Sequence, residues 1–247
     1  MRSQSHERRR KDSTGTTFRI LPLGDSALTI EFGNEIDPKI NARAIAFAET
    51  VVGQRWSGIH DIVPTYRSVT VHFDPHQWDS ATLAKRLKAL PRREPGQAEP
   101  PGILHEIPVL YGGDWGPDLE EVATFAGLQP AEAIALHVSV PYRVYMLGFS
   151  PGFPYLGLVP EQLAMPRRAT PRTKVPAGSV GIADRQTGIY PTATPGGWQL
   201  IGRTPISLYR KARTDPFLLK PGDSVRFKPI VPDEFDQLSR ETEHDDH

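Results

Sequence analysis

The 247-residue sequence contains no cysteine. That excludes disulfides, thiolate nucleophiles and cysteine-ligated zinc or iron–sulfur sites, and it suits a reducing cytoplasm. The chain has no net charge either, because 29 Lys plus Arg balance 29 Asp plus Glu. A neutral chain lacks the broad basic field on which general nucleic-acid binding rests. No apolar run approaches the roughly 18 residues of a membrane-spanning helix. The basic cluster Arg8 to Lys11 is followed by no apolar h-region, so the N-terminus does not read as a secretory signal. Neither G-x-x-x-x-G-K-S/T nor G-x-G-x-x-G occurs, which leaves the familiar nucleotide loops without support.

What is plentiful is proline and glycine, and they are concentrated. Residues 141–205 hold ten prolines and nine glycines. The same stretch carries Phe149, Phe153, Tyr155, Tyr190 and Trp198, so it reads as an ordered, loop-rich β region and not as a flexible linker. Residues 18–90 read as a separate α/β unit in the order β-helix-β-β-helix. Strands are expected at Ser26–Phe32, Ile59–Val63 and Ser68–Phe73. Helices are expected from Asp37-Pro38 to Gly53 and from Asp79 or Ser80 to Leu90. A final strand would complete a split βαβ, ferredoxin-like unit. Residues 91–102 (PRREPGQAEPPG) read as a linker. From 103 to 232, strands are expected at Ile103–Tyr111, Tyr142–Leu147, Ser179–Ala183, Trp198–Ile201, Ile206–Tyr209 and Ser224–Pro229. Short helices are expected at Asp118–Ala126 and Pro130–Val138, and a turn at Thr187-Gly188. Short strands at this spacing favour a β-barrel or sandwich. Residues 1–17 and the acidic 233–247 read as solvated tails.

Several constellations hint at chemistry. Gly148-Phe149-Ser150-Pro151-Gly152 has the letters of a G-x-S-x-G nucleophile elbow. The residue after the serine must donate its N–H to an oxyanion, and Pro151 has none. His72 and His76 flank Asp74, but Pro75 interrupts them, so no metal site is expected. His137 falls at the end of a short helix beside the Pro/Gly-rich region, as either a structural or a site histidine. Arg167, Arg168, Arg172 and Lys174 lie within eight residues among Pro166, Pro171 and Pro176. Arginines on a stiffened loop suit forked recognition of carboxylate or phosphate, and a solvated basic loop is the plain alternative. Gly178-Ser179 allows close backbone approach. Phe153, Tyr190 and Trp198 are core or pocket wall.

The runs GFSPGFPYLG (148–157), PRRATPRTKVPAGSVGIA (166–183) and QTGIYPTATPGGWQLIGRTP (186–205) closely resemble one family. It is known as KipI, allophanate hydrolase subunit 1 or the 5-oxoprolinase B subunit. Pro108–Asp114, His137, Gly24–Leu28 and the Ile62–Ser68 region match it too. The resemblance implies an α+β protein, with a ferredoxin-like N-terminal α/β domain and a C-terminal cyclophilin-like β-barrel. It implies a KipA-like companion (the 5-oxoprolinase C subunit), often a third small subunit, and ATP. The implied activity is conversion of 5-oxo-L-proline to L-glutamate in a cytoplasmic complex, the chain being inactive alone. Carboxyl transfer to urea or allophanate, or inhibition of a histidine kinase, are the alternatives the family carries. No A-M-K-M-type biotinyl signal is present. For lactam opening, Arg167, Arg172 and Lys174 would meet anionic charge. Gln186, Tyr190 and the Gly178–Ser179 backbone would donate hydrogen bonds, and His137 would move a proton. Phe149, Phe153, Arg167, Gly178, Ser179 and Trp198 would bind substrate. No metal is implied.

Overall fold

The computed structural model describes residues 18–91, 102–211 and 213–244. The expected tail 1–17 and nearly all of the linker 91–102 lie outside them. The chain divides into two compact units, with the boundary between Pro100 and Pro101.

The first unit contains β1 (Arg19–Pro22), β2 (Ala27–Glu31), α1 (Pro38–Gly53), β3 (Ile59–Pro64), β4 (Ser68–Phe73) and α2 (Ser80–Ala89). Each helix begins as its sequence demands. The Asp37 carboxylate accepts from the amides of Lys39 and Ile40, with Pro38 at the first turn, and Asp79 accepts from Thr82 N–H. Alternation buries Val69, Val71 and Phe73 of β4 against Ala44, Phe47, Ala48 and Val51 of α1 and Leu83 and Leu87 of α2. The antiparallel sheet has the order β1-β2-β4-β3. The fourth strand of the ferredoxin-like arrangement therefore comes from before β2 and not after α2. Arg19–Pro22 is short, proline-ended and only half-buried, which hid it in the sequence.

The second unit contains β5 (Leu104–Tyr111), α3 (Leu119–Ala126), α4 (Pro130–Val138), β6 (Tyr142–Leu147), β7 (Pro154–Gly157), β8 (Arg172–Val175), β9 (Ser179–Ala183), β10 (Gln186–Ile189), β11 (Thr194–Gly196), β12 (Gln199–Arg203), β13 (Ser224–Pro229) and α5 (Pro232–His244). Seven strands close a barrel in the order β10-β7-β6-β13-β5-β12-β9, while β8 and β11 form a separate two-stranded ribbon. The molecule is thus α+β with a closed barrel. Ile107, Val144, Leu156, Ile182, Ile201 and Phe227 fill it. The N-terminus of α4 is held by Glu132, which accepts from the Gln129 amide.

Three expectations are corrected. Thr187-Gly188 is not a turn but the middle of β10; the turn is Asp184-Arg185, with Asp184 at φ 51°. Gly188 is a glycine for packing, because a Cβ there would lie 2.9 Å from Pro154 O and 3.0 Å from Trp198. Ile206–Tyr209 is not a strand. It follows Pro205, the Ile206 amide is held by the Thr204 hydroxyl, and only Tyr209 bridges, to Phe217. The 233–247 segment is not a solvated tail through residue 244, because α5 begins at Pro232. Phe235 is buried with Leu110 and Ile230, and Leu238 packs beside it. The acidic residues Asp233 and Glu234 occupy the first turn, where the helix dipole favours them.

Candidate functional site

The G-x-S-x-G lookalike is a tight turn joining β6 to β7. Phe153 N–H donates to Ser150 O and Gly148 N–H to Phe153 O. The turn feeds a strand, and Phe149 sits in the left-handed region at φ 65°. That conformation projects an exposed Phe149 ring, edge-on, over Phe153 and Tyr190 at centroid distances of 5.5 and 6.4 Å. Below it Phe153 meets Tyr155, Tyr190 and Trp198, all within 5.4 Å. Edge-to-face contacts of this kind suit the ring quadrupoles and make a rigid wall.

The basic loop lies against this wall. The Arg167 guanidinium carbon is 5.9 Å from the Trp198 ring centre. Burial pushes the Tyr190 phenol above its ordinary range, with the Trp198 backbone hydrogen bond and the Arg167 and Arg172 charges acting in the opposite direction. The phenol therefore stays protonated at neutral pH. Burial raises Tyr155 in the same way.

Sequence reasoning missed the residue that organises the loop. Asp118 stands at the N-terminus of α3, where an aspartate usually caps the helix, but its side chain makes no cap hydrogen bond. Instead the buried carboxylate accepts from Leu200 N–H through Oδ2 at 2.6 Å. Its Oδ1 accepts from Arg168 Nη1 at 2.9 Å and from Arg172 Nη2 at 2.7 Å. Two guanidinium groups thus share one carboxylate oxygen, and the cluster keeps a surplus positive charge. Arg168 Nε and Arg172 Nη1 are buried donors with no partner. A nearby cavity of about 420 Å3 is lined by Met165 to Thr170, Glu121 and Gln199. The Gln199 amide donates to Pro166 O, while its buried Oε1 has no partner. A cationic cluster with spare donors beside a cavity has the chemistry to accept an anionic oxygen.

The other candidates fall elsewhere. Lys174 is exposed on β8, and Gln186 is half-buried at the start of β10. Gly178 and Ser179 are buried, and their amides are committed to Tyr190 O and Pro176 O. Gly178, at φ 81°, is required because a Cβ would overlap Thr204 O. These amides therefore have no hydrogen bond to offer a ligand. His137 lies in the barrel core. Its Nδ1 is 2.9 Å from Tyr111 Oη, its Nε2 is 3.1 Å from Thr187 Oγ1, and its ring stacks on Phe227. Burial alone pulls its pKa down to about 3, so the ring is neutral at physiological pH. As a phosphate cradle for ATP the region does not fit, since the glycine amides that would line one are taken up inside the fold. Among the described residues no cluster of three His, Asp or Glu side chains stands ready for a metal ion.

Residues 18–219 match the carboxyltransferase domain family, subdomains C and D. The 5-oxoprolinase B subunit of Bacillus subtilis is 42% identical over 235 residues, covering 91% of this chain and 98% of its own length. The 5-oxoprolinase B subunit of Escherichia coli O157:H7 is 45% identical over 211 residues, covering 85% and 95%. The chain belongs to this family. Among solved structures, that of TTHA0988 superposes with a TM-score of 0.74 at 40% identity, covering 83% of this chain and 40% of that one. The urea carboxylase of Kluyveromyces lactis superposes with a TM-score of 0.73 at 21% identity, covering 96% of this chain and 24% of that one, a likeness of fold. No helix of the described residues is long and apolar enough to cross a membrane.

Proposed function

We propose that this chain is the B subunit of an ATP-dependent 5-oxoprolinase, converting 5-oxo-L-proline to L-glutamate in the cytoplasm. It would act with a KipA-like companion, the C subunit, and a third small subunit. Identity of 42–45% across nearly the whole length of proteins of that name carries the reading. The surplus charge around Asp118 supports it. A substrate with a carboxylate beside a lactam needs one fixed cation for the carboxylate and donors for the oxygen that becomes negative. Arg168 and Arg172 hold the anion, with Arg167 and Lys174 adding to the field. The neutral Tyr190 phenol supplies a hydrogen bond. The Phe149, Phe153 and Trp198 wall excludes water from the ring, and Gln186 takes a polar edge. His137 is assigned a structural place, because its buried neutral ring already uses both nitrogens. ATP is assigned to another subunit, since the amides of Gly178 and Ser179 are committed within this one.

Co-expression with the companion subunits tests this. The expected result is a stable complex that forms glutamate from 5-oxo-L-proline only with ATP, while this chain alone turns over nothing. Turnover of urea or allophanate in place of 5-oxo-L-proline would move the chain to the carboxyltransferase branch. Binding to a histidine kinase without any turnover would make it an inhibitor.

A further inference from the structure

A second groove, away from the arginine loop, is not used by that reading. It has a volume of about 320 Å3 and runs between α5 and the end of β12. Its apolar walls are Trp115, Ile206 and Phe235, and the guanidinium of Arg203 enters it. The Arg203 carbon lies 5.4 Å from the Trp115 ring centre, and Nε donates to Ala177 O at 2.7 Å. That bond and the ring fix the plane of the guanidinium. Its two terminal amino groups have no hydrogen-bond or ion-pair partner among the described residues, and no carboxylate balances the charge. Burial lowers its pKa, with no acidic neighbour among the described residues to offset the cost. Cations held half-buried in this way ordinarily face an anion. Of the hydroxyls in the groove, Thr204 accepts from the Ile206 amide, and Ser207 and Thr242 donate to main-chain oxygens. The Ser239 hydroxyl has no partner among the described residues.

We infer that this groove binds a small organic monocarboxylate with a flat apolar body, its carboxylate on the Arg203 fork and its body against Trp115 and Phe235. A planar two-oxygen anion matches two coplanar amino donors. A dianion such as phosphate would want a second cation. Among the described residues Arg203 is the one cation lining the groove, Arg210 being turned to the Thr242 carbonyl, and on the adjoining helix the exposed Asp233, Glu234, Asp236 and Glu241 outnumber Arg240 and disfavour added negative charge. The volume suits a ligand at the small end of ordinary pockets.

The test uses the full chain and three probes: benzoate, its neutral isostere benzamide, and inorganic phosphate. Titration is followed by calorimetry and by the Trp115 indole N–H resonance. Saturable one-to-one binding of benzoate is expected, with benzamide and phosphate at least tenfold weaker. Arg203→Gln should weaken benzoate at least tenfold. Ser239→Leu, which fills the groove and leaves the Arg203 bond to Ala177 in place, should abolish binding while keeping the native melting temperature within a few degrees. Arg172→Lys should bind benzoate as the wild type does, which separates this groove from the proposed oxoprolinase site. No benzoate binding, binding insensitive to Ser239→Leu, or equal binding of benzamide or phosphate would overturn the inference.

Discussion

The residue on which the candidate site turns is Asp118. Its two oxygens serve three donors, one of them the main chain of β12, so the arginines are held in place before any ligand arrives. Arg172 can make this arrangement only because its guanidinium is a fork. One terminal nitrogen meets Asp118 and the other remains free. A lysine offers a single point of charge, so Arg172→Lys should keep the pair with Asp118 and lose the spare donor. In the reconstituted complex kcat/KM should fall at least tenfold, or about 1.4 kcal/mol, with stability within about 1 kcal/mol because the pair is partly solvated. Asp118→Asn should do the reverse in part: it leaves two guanidinium groups facing one another and costs about 3 kcal/mol of stability, the low end for breaking a buried pair because both guanidinium groups keep some solvent. Steady-state kinetics beside urea unfolding distinguishes these outcomes. A fully active lysine variant would remove Arg172 from the site.

At the scale of elements, α5 shows how an acidic segment acquires its structure. Phe235, Leu238, Ser239 and Thr242 recur at helical spacing, and charged residues occupy most of the remaining positions. Phe235 stacks on Trp115 with ring centres 4.5 Å apart and is buried with Leu110 and Ile230. The Arg210 Nη2 donates to Thr242 O at the far end of the helix. Phe235→Ala should therefore cost about 3 kcal/mol, seen as a fall of roughly 6–12 °C in Tm. A solvated tail would give no change. The β8–β11 ribbon makes the opposite point. It has no hydrophobic run of its own, and Arg172 pairs with Gly196 across it, where bulk is excluded because a Cβ would meet the Tyr190 hydroxyl at 2.5 Å.

Over the whole molecule, the buried His137 couples barrel stability to pH. In the folded chain its pKa is about 3 against an ordinary 6.5. Below pH 6.5 the unfolded chain binds a proton there that the folded chain refuses. This contribution is thus intact above about pH 6.5 and is lost as the pH falls from there toward 3, by up to about 1.4 kcal/mol per pH unit. Urea midpoints at pH 7.5 and 5.5 should show a loss of about 1.4 kcal/mol from this group, and His137→Gln should remove that part of the slope. Identical slopes in the two proteins would mean that the ring is not buried in its neutral form.

Local signals sufficed wherever an element is specified by its own residues. The capped helices α1, α2 and α4, the alternating β4 and the half-buried β5 and β13 were legible from spacing and end residues, and the long 148–205 runs were legible as a family. The short strands β1, β7, β8, β10 and β11 were not, because three or four residues with Gly, Pro or Thr carry too little periodicity to outweigh turn propensity. They become strands only when a neighbour supplies the hydrogen bonds. The chemical types at the site, arginines on a proline-stiffened loop beside aromatics, were plain in the sequence. That Asp118 organises them was not, since Arg168 and Arg172 lie 50 and 54 residues away in the chain. Nor could sequence place His137 in the core, or commit the Gly178 and Ser179 amides to the fold. Burial and partnership are properties of the packed barrel, set by which distant strands close it, and no local run of residues encodes them.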